Sequence, residues 1–585
     1  MRLKIFISAL TIFFFFGLLT VKAQAADLLF GKSSTEVHAN ADGSANVSQV
    51  IVIKNTSTFE VITAVNFEIP LKFENLSVSI RGLPHSVEVT DNYALVNLSD
   101  NPVRFKEETV MIINYRLNKL FARQEAIKSI FLPKTALTNS TSEDSLRIYL
   151  PLTFGELAYL NRKPISVTEE NGQHVINFSG LDEVYLVLAN YNAVKLNTLW
   201  KAVNNKNESI KVRVPLPGSE NNPVVFTEIK GFQDGMRDQN TNEFLLLDVS
   251  GKTEQTASYQ GIIKKYDYKQ FRFPAENKTD DWYYAGLDKI KQASGSSIHE
   301  VYKFVLNSLH PVFPDTNWQR RSPEDAMLAS KHTSLDYANM LTGLYRNQGL
   351  TAQVVYGLVR LPITGQFVWH FWVAYEKEGQ WLFQDPFLED YLNFDMESGV
   401  TPDRLVFGVL TDNDPAAALG LNYLENYASP LEFFNDTNDS IQLQGEYEIT
   451  LENLSRAYSA HNLDLRLYIK NNSNHNIYLD KIQIENVSWD REALVSFLIL
   501  PQTNKMIQLP GVLIGNIFTQ GSANIGGLVA VRYAREEQEQ KVGTEVMLGI
   551  DYPLIFISIL VIIIAAAIIL GYGFKLIKSW RYNPK

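Results

Sequence analysis

Residues 330–350 read SKHTSLDYANMLTGLYRNQGL, and the reading of this stretch decides the architecture around it. Thr333 and Asp336 stand at capping-box spacing, so a helix is predicted to begin at Ser334 and to stop at Gly349. Ala338, Leu341 and Tyr345 recur at helical spacing and give that helix an apolar face. Ser334 then falls in the first turn, where unpaired backbone N–H groups and the helix dipole favour negative charge. A polar residue at such a place needs no catalysis to explain it, yet it is also where a nucleophile would stand.

The flanking sequence fits one α+β block over residues 279–407. Upstream, DDWYYAGLDKIKQA from Asp280 and SSIHEVYKFVLNSL from Ser296 read as helices, the second with Ser297 and Glu300 at capping-box spacing. Downstream, VVYGLV, FVWHFWVAYE and GQWLFQDPF are three candidate strands in a row. The block thus runs from a helix with a nucleophile-type residue, to a strand carrying His370 beside Trp372, to a strand ending in Asp385-Pro386 after Trp381.

That order resembles the transglutaminase-like superfamily. Ser334 with Asp336, Tyr337 and Ala338 matches the family's Cys-x-Asp-Tyr-Ala pattern. His370 with Trp372 matches His-x-Trp, and Trp381 with Asp385-Pro386 matches Trp-x-x-x-Asp-Pro. The resemblance implies a papain-like fold with triad positions Ser334, His370 and Asp385, the first holding serine where the family has cysteine. A thiol is readily ionised by a helix N-terminus and an imidazolium. A hydroxyl must instead lose its proton to a base during attack, and its smaller oxygen sits closer to the backbone. Three readings of Ser334 stand: a first-turn polar residue, a Ser-His-Asp nucleophile of a hydrolase or acyltransferase, and a relic of a triad frame. His370 and Asp385 have plain readings too, as a strand histidine and a turn-forming acid before proline.

Candidate binding residues cluster nearby. Trp369, Trp372 and Trp381 offer either a substrate wall or a core cluster. His332, two residues before Ser334, either lines the same cleft or is a solvated turn residue. The nine histidines show no metal-ligand spacing, cysteine is absent, and no phosphate-binding Gly-rich loop occurs. No metal and no cofactor is therefore expected.

The rest of the 585-residue chain is expected to be multidomain, because one core does not grow to that size. Short β-rich runs separated by turn signals predict a β-sandwich at 26–130, a second β-rich domain at 131–275 and a β-sandwich at 441–550, with a helix and linker at 408–440 between the block and the last. At the start, MRLK, an apolar run and Ala23-Gln24-Ala25 read as a signal peptide over residues 1–25. Near the end, residues 554–574 are uncharged and long enough to span a bilayer.

Lys575, Lys578, Arg581 and Lys585 make the tail 575–585 basic, which predicts a cytoplasmic tail and a single-pass type I protein of a cell envelope. Asn-x-Ser/Thr sequons, Asn55 and Asn471 among them, lend mild support to an exported surface. With a net charge of -11 and no basic run, a nucleic-acid partner is excluded. The expectation is a membrane-anchored, extracytoplasmic, non-catalytic domain that binds polypeptide or glycan, the alternatives being the serine enzyme and a scaffold subunit of a membrane assembly.

Overall fold

The structure is a computed structural model that describes residues 28–581 apart from several segments, the longest being 133–143, 274–286, 411–423 and 435–445. The expected signal peptide, most of the helix expected from Asp280, the linker from residue 435 and Lys585 lie outside the described residues. The described residues divide into two compact units. One reaches Tyr191 and adds Leu388–Asp403 and Phe433–Asn435; the other comprises Asn192–Phe387, Arg404–Glu432 and the residues from Asp436.

Strand dominates both units, and its cause is the period-2 alternation of the sequence. In Ala45–Asn55 the inward residues Val47, Ile51 and Ile53 are buried while Val50 and Lys54 face out. In the first unit an eight-stranded, a four-stranded and a three-stranded sheet share one core that runs from Val37 to Leu188. Its first strand, Leu28–Ala39, pairs in parallel with Ser145–Pro151, with Val37 opposite Ile148. The expected boundary at residue 130 is therefore corrected to Tyr191. Alternation is a local signal, and it does not reveal that a later strand returns beside the first.

A similar correction applies downstream. Asp234–Arg237 pairs with Phe497–Ile499, Gly235 lying opposite Leu498, so strands of the second β-rich region and of the C-terminal region form one eight-stranded sheet. At the end, the helix Tyr552–Arg581 contains the apolar stretch Ile555–Lys575, which has a mean hydropathy of 3.0 and is not buried against protein. It is long and apolar enough to cross a membrane.

Three strands end the same way. Asn55 donates its Nδ2 to the carbonyls of Glu60 and Val103, Asn204 to those of Glu208, Val249 and Ser250, and Asn471 to those of His475, Ile499 and Leu500. Each Oδ1 accepts the N–H two residues on, from Ser57, Lys206 and Ser473. The result is an Asx turn that also ties off neighbouring strand ends. Asn55 and Asn471 are fully buried. Their sequons arise from turn chemistry, because Asn-x-Ser places a small hydroxyl residue where the turn closes, and as support for a glycosylated surface these two are withdrawn.

The block read from residues 330–350 has helices Ile298–Ser308 (α1), Pro323–Leu328 (α2) and Ser334–Asn347 (α3), followed by a four-stranded antiparallel sheet. Its strands are Ala352–Arg360 (β1), Phe367–Lys377 (β2), Gln380–Gln384 (β3) and Arg404–Leu410 (β4), in the order β3-β2-β1-β4. Ser297 and Glu300 form the expected capping box of α1. At the start of α3, Asp336 Oδ2 accepts the Thr333 N–H at 2.9 Å. Leu335, Tyr337, Ala338, Leu341 and Tyr345 of α3 are all buried, and the Tyr345 hydroxyl donates to Gln384 at 2.6 Å, fixing the end of β3 that leads into Asp385.

Gly357 of β1 pairs with His370 of β2, beside a bulge in the β1–β4 pairing. A Cβ at Gly357 would lie 2.0 Å from the Leu405 carbonyl oxygen and 3.1 Å from the Trp372 ring. Neither neighbour has room to retreat, so the glycine sets the approach of β4, and with it Arg404, to the site. Gly357→Ala is expected to lower stability by about 2 kcal/mol, measured as a lower thermal midpoint, and to shift the Trp372 fluorescence environment.

Candidate functional site

Alternation along β2 decides which of its side chains can meet α3. His370 and Trp372 lie on one face, with rings 6.4 Å apart and nearly parallel. Trp369 lies on the other face, where its ring contacts Trp200 at 5.6 Å and Phe407 at 4.6 Å. The candidate substrate wall therefore separates. Trp369 is core behind the sheet, Trp372 is buried support beneath His370, and Trp381 stacks edge-on against Phe273 at 4.6 Å.

His332 is buried, which corrects the solvated-turn reading. Its Nδ1 accepts the His310 N–H at 2.8 Å and its Nε2 donates to the Ala326 carbonyl at 2.8 Å. Together with the Pro311–His332 bridge, these bonds fasten the segment leading to Asp315 and Trp318 against the start of α3.

The structure does bring Ser334, His370 and Asp385 into one buried place, and it adds three residues that the sequence did not point to. His370 Nε2 meets Asp385 Oδ2 at 2.9 Å, and Arg404 Nη1 meets the same oxygen at 2.6 Å. The guanidinium of Arg404 also lies over the Trp372 ring, 5.3 Å from its centroid. On the other side of the imidazole, Nδ1 faces Asp315 Oδ2 at 3.4 Å, an ion pair looser than a good hydrogen bond. Asp315 Oδ1 accepts from the Ser334 N–H at 3.1 Å and from the Trp318 indole at 3.0 Å. Ser334 Oγ accepts the Phe371 N–H at 3.2 Å, and among the described residues no hydrogen bond links it to His370.

Electrostatics follows from this geometry. All of these side chains are buried, and two carboxylates face one guanidinium and one imidazole. Burial alone would push the imidazole of His370 down, but Asp385 and Asp315 outweigh it and hold the ring above the ordinary histidine value. Nearby, burial raises Asp336, opposed by its bonds to Thr333 and by Arg321 at 3.3 Å. In the first unit, Glu156, Glu169 and His174 bring ligand atoms within 4.8 Å of one another; both glutamates are exposed, and a cross-strand His–Glu contact accounts for the arrangement.

Residues 284–386 match the sequence profile of the transglutaminase-like superfamily. The block is a transglutaminase-like domain. The profile takes in Ser334, His370 and Asp385 but stops before Arg404. No curated protein matches the chain by sequence. Among solved structures, the chain is similar to a candidate cysteine protease from Cytophaga hutchinsonii, at 14% identity and a TM-score of 0.29, over 42% of this chain and 96% of that one. It is similar to a candidate protease from Parabacteroides distasonis at 11% identity and a TM-score of 0.17, over 89% and 94% of the two chains. An M1 zinc metallopeptidase from Deinococcus radiodurans gives 11% identity and a TM-score of 0.22, over 33% of this chain and 46% of that one.

Two outcomes are expected of this cluster. Arg404→Met takes the guanidinium away from the buried Asp385 carboxylate and should cost about 3–5 kcal/mol, read as a loss of thermal or denaturant stability. Because the folded-state pKa of His370 is raised, its contribution is fully present below the unfolded value of about 6.5 and is lost as pH rises through the folded value. The thermal midpoint should therefore fall as pH rises above about 6.5, and His370→Gln should flatten that part of the profile.

Proposed function

We propose that this chain is a membrane-anchored extracytoplasmic protein whose transglutaminase-like domain performs no acyl transfer and serves as a rigid scaffold for docking polypeptide at the cell envelope. One observation carries the reading: both ring nitrogens of His370 are engaged by carboxylates, and neither bonds to Ser334. A general base needs a free lone pair within hydrogen-bond reach of the proton it takes. The Nε2 of His370 is bonded to Asp385 and its Nδ1 faces Asp315 rather than Ser334, which counts against a Ser334 hydrolase or acyltransferase.

The same burial bears on where polypeptide or glycan could bind. Ser334, His370 and Asp385 are buried with Asp315 and Trp318 beside them, which speaks against a polypeptide or glycan strand reaching the triad positions. Docking falls to other surfaces, in keeping with the scaffold reading. The apolar helix supplies the membrane anchor, and the basic residues after it favour a cytoplasmic tail with the bulk of the chain outside. On the superfamily resemblance, Ser334 takes the thiol position, and a hydroxyl in this setting lacks both a base and an approach for substrate.

A fluorophosphonate serine probe applied to the intact, detergent-solubilised protein should give no more labelling than the Ser334→Ala variant. Labelling that disappears in Ser334→Ala would return Ser334 to the status of a working nucleophile.

A further inference from the structure

Two N–H donors converge on a single oxygen beside Ser334. The Ser334 backbone N–H and the Trp318 indole N–H lie 3.1 and 3.0 Å from Asp315 Oδ1. Donors aimed in this way, one of them belonging to the residue at the nucleophile position, are what stabilise a developing oxyanion in acyl chemistry. The second oxygen of the same carboxylate turns to His370 Nδ1 at 3.4 Å. One planar group thus accepts two N–H bonds on one oxygen and faces the imidazole with the other.

Asp336 nearby takes its donors from Thr333, three residues back, as a cap does, and from Arg321. Asp315 draws on Trp318 in its own loop, on the first turn of α3 and on the middle of β2. Those elements are held in place independently of it: α3 by its buried apolar face, β2 by pairing with β1 and β3, and the loop by the His332 bonds. The helix N-terminus adds a partial positive charge at the same point.

We propose that the Ser334 N–H, the Trp318 indole and His370 form a carboxylate-binding pocket, which the chain fills with its own Asp315. The ligand class is a small monocarboxylate, since the space that Asp315 occupies beyond its backbone is that of a methylene and a carboxylate. The inference deepens the non-catalytic reading, on which it rests for the closed state of the site.

The test is Asp315→Ala in the full-length, detergent-solubilised protein, titrated with sodium formate against sodium chloride at equal ionic strength. The variant should melt below the wild type, and formate but not chloride should raise its midpoint with a saturating dependence, as binding to the folded state requires. Wild-type protein should not respond. Asp315→Asn still fills the pocket and should not respond to formate either, while its stability falls less with rising pH than that of the wild type, because only Asp385 is left to raise His370.

A folded Asp315→Ala that is indifferent to formate overturns the proposal. If that variant does not fold, an Asp315→Asn variant with an unchanged pH profile overturns it instead. The two readings fail separately: probe labelling of wild-type Ser334 would defeat the non-catalytic function and leave the formate result standing, whereas absent formate binding would defeat the pocket alone.

Discussion

The requirement that buried charge be balanced governs the transglutaminase-like domain. Asp385 lies between the Arg404 guanidinium and the His370 imidazole, and His370 lies in turn between Asp385 and Asp315. Taken out of water, none of these groups is tolerable alone. Together they place two carboxylates against one guanidinium and one imidazole, and the elements that carry them are fixed as a consequence. β4 must approach closely enough to deliver Arg404, which is why β1 has glycine at 357. The Asp315 loop must be fastened to the start of α3, which is what His332 does.

Much of this domain was legible in the sequence. The caps at Ser297 and Thr333, the apolar face of α3 and the strand runs after Gly349 are local patterns, and each appears where the pattern puts it. The order Ser334, His370, Asp385 was legible through resemblance. Asp315, Trp318 and Arg404 were not, because nothing in their local sequence marks them. Arg404 did leave one trace, a lone cation opening the apolar run RLVFGVL. A buried arginine demands an acid, and Asp385 was already a candidate. For Asp315 and Trp318 the information is topological: the chain from Pro311 returns beside His332, and no spacing encodes that.

The β-regions teach the same distinction. Individual strands followed from alternation, whereas their partners did not. Ser145–Pro151 returning beside Leu28–Ala39, and Asp234–Arg237 joining Phe497–Ile499, both cross boundaries drawn from composition and turn signals. The buried asparagines carry a finer lesson. IVIKNTS and LYIKNNS share the run Ile-Lys-Asn before a serine, and in both the asparagine closes a strand end. The repeat is a turn device, and reading it as a modification signal mistakes a buried donor for an exposed acceptor.

On the superfamily resemblance, in which a cysteine stands at the Ser334 position, the charges around Ser334 can be set beside those of a thiol site. A thiolate paired with an imidazolium puts one negative charge at the start of the nucleophile's helix, close to the imidazole nitrogen that faces away from the aspartate. A serine hydroxyl contributes no such charge. Arg404 and His370 both lie beside Asp385 in a buried space. Asp315 supplies the second anion on the side of the ring that a thiolate would occupy, and it is met by the backbone N–H of Ser334 itself. The imidazole is thus flanked by a carboxylate on each side, Asp385 at Nε2 and Asp315 at Nδ1, and the second of these is tied to the nucleophile position through the Ser334 N–H.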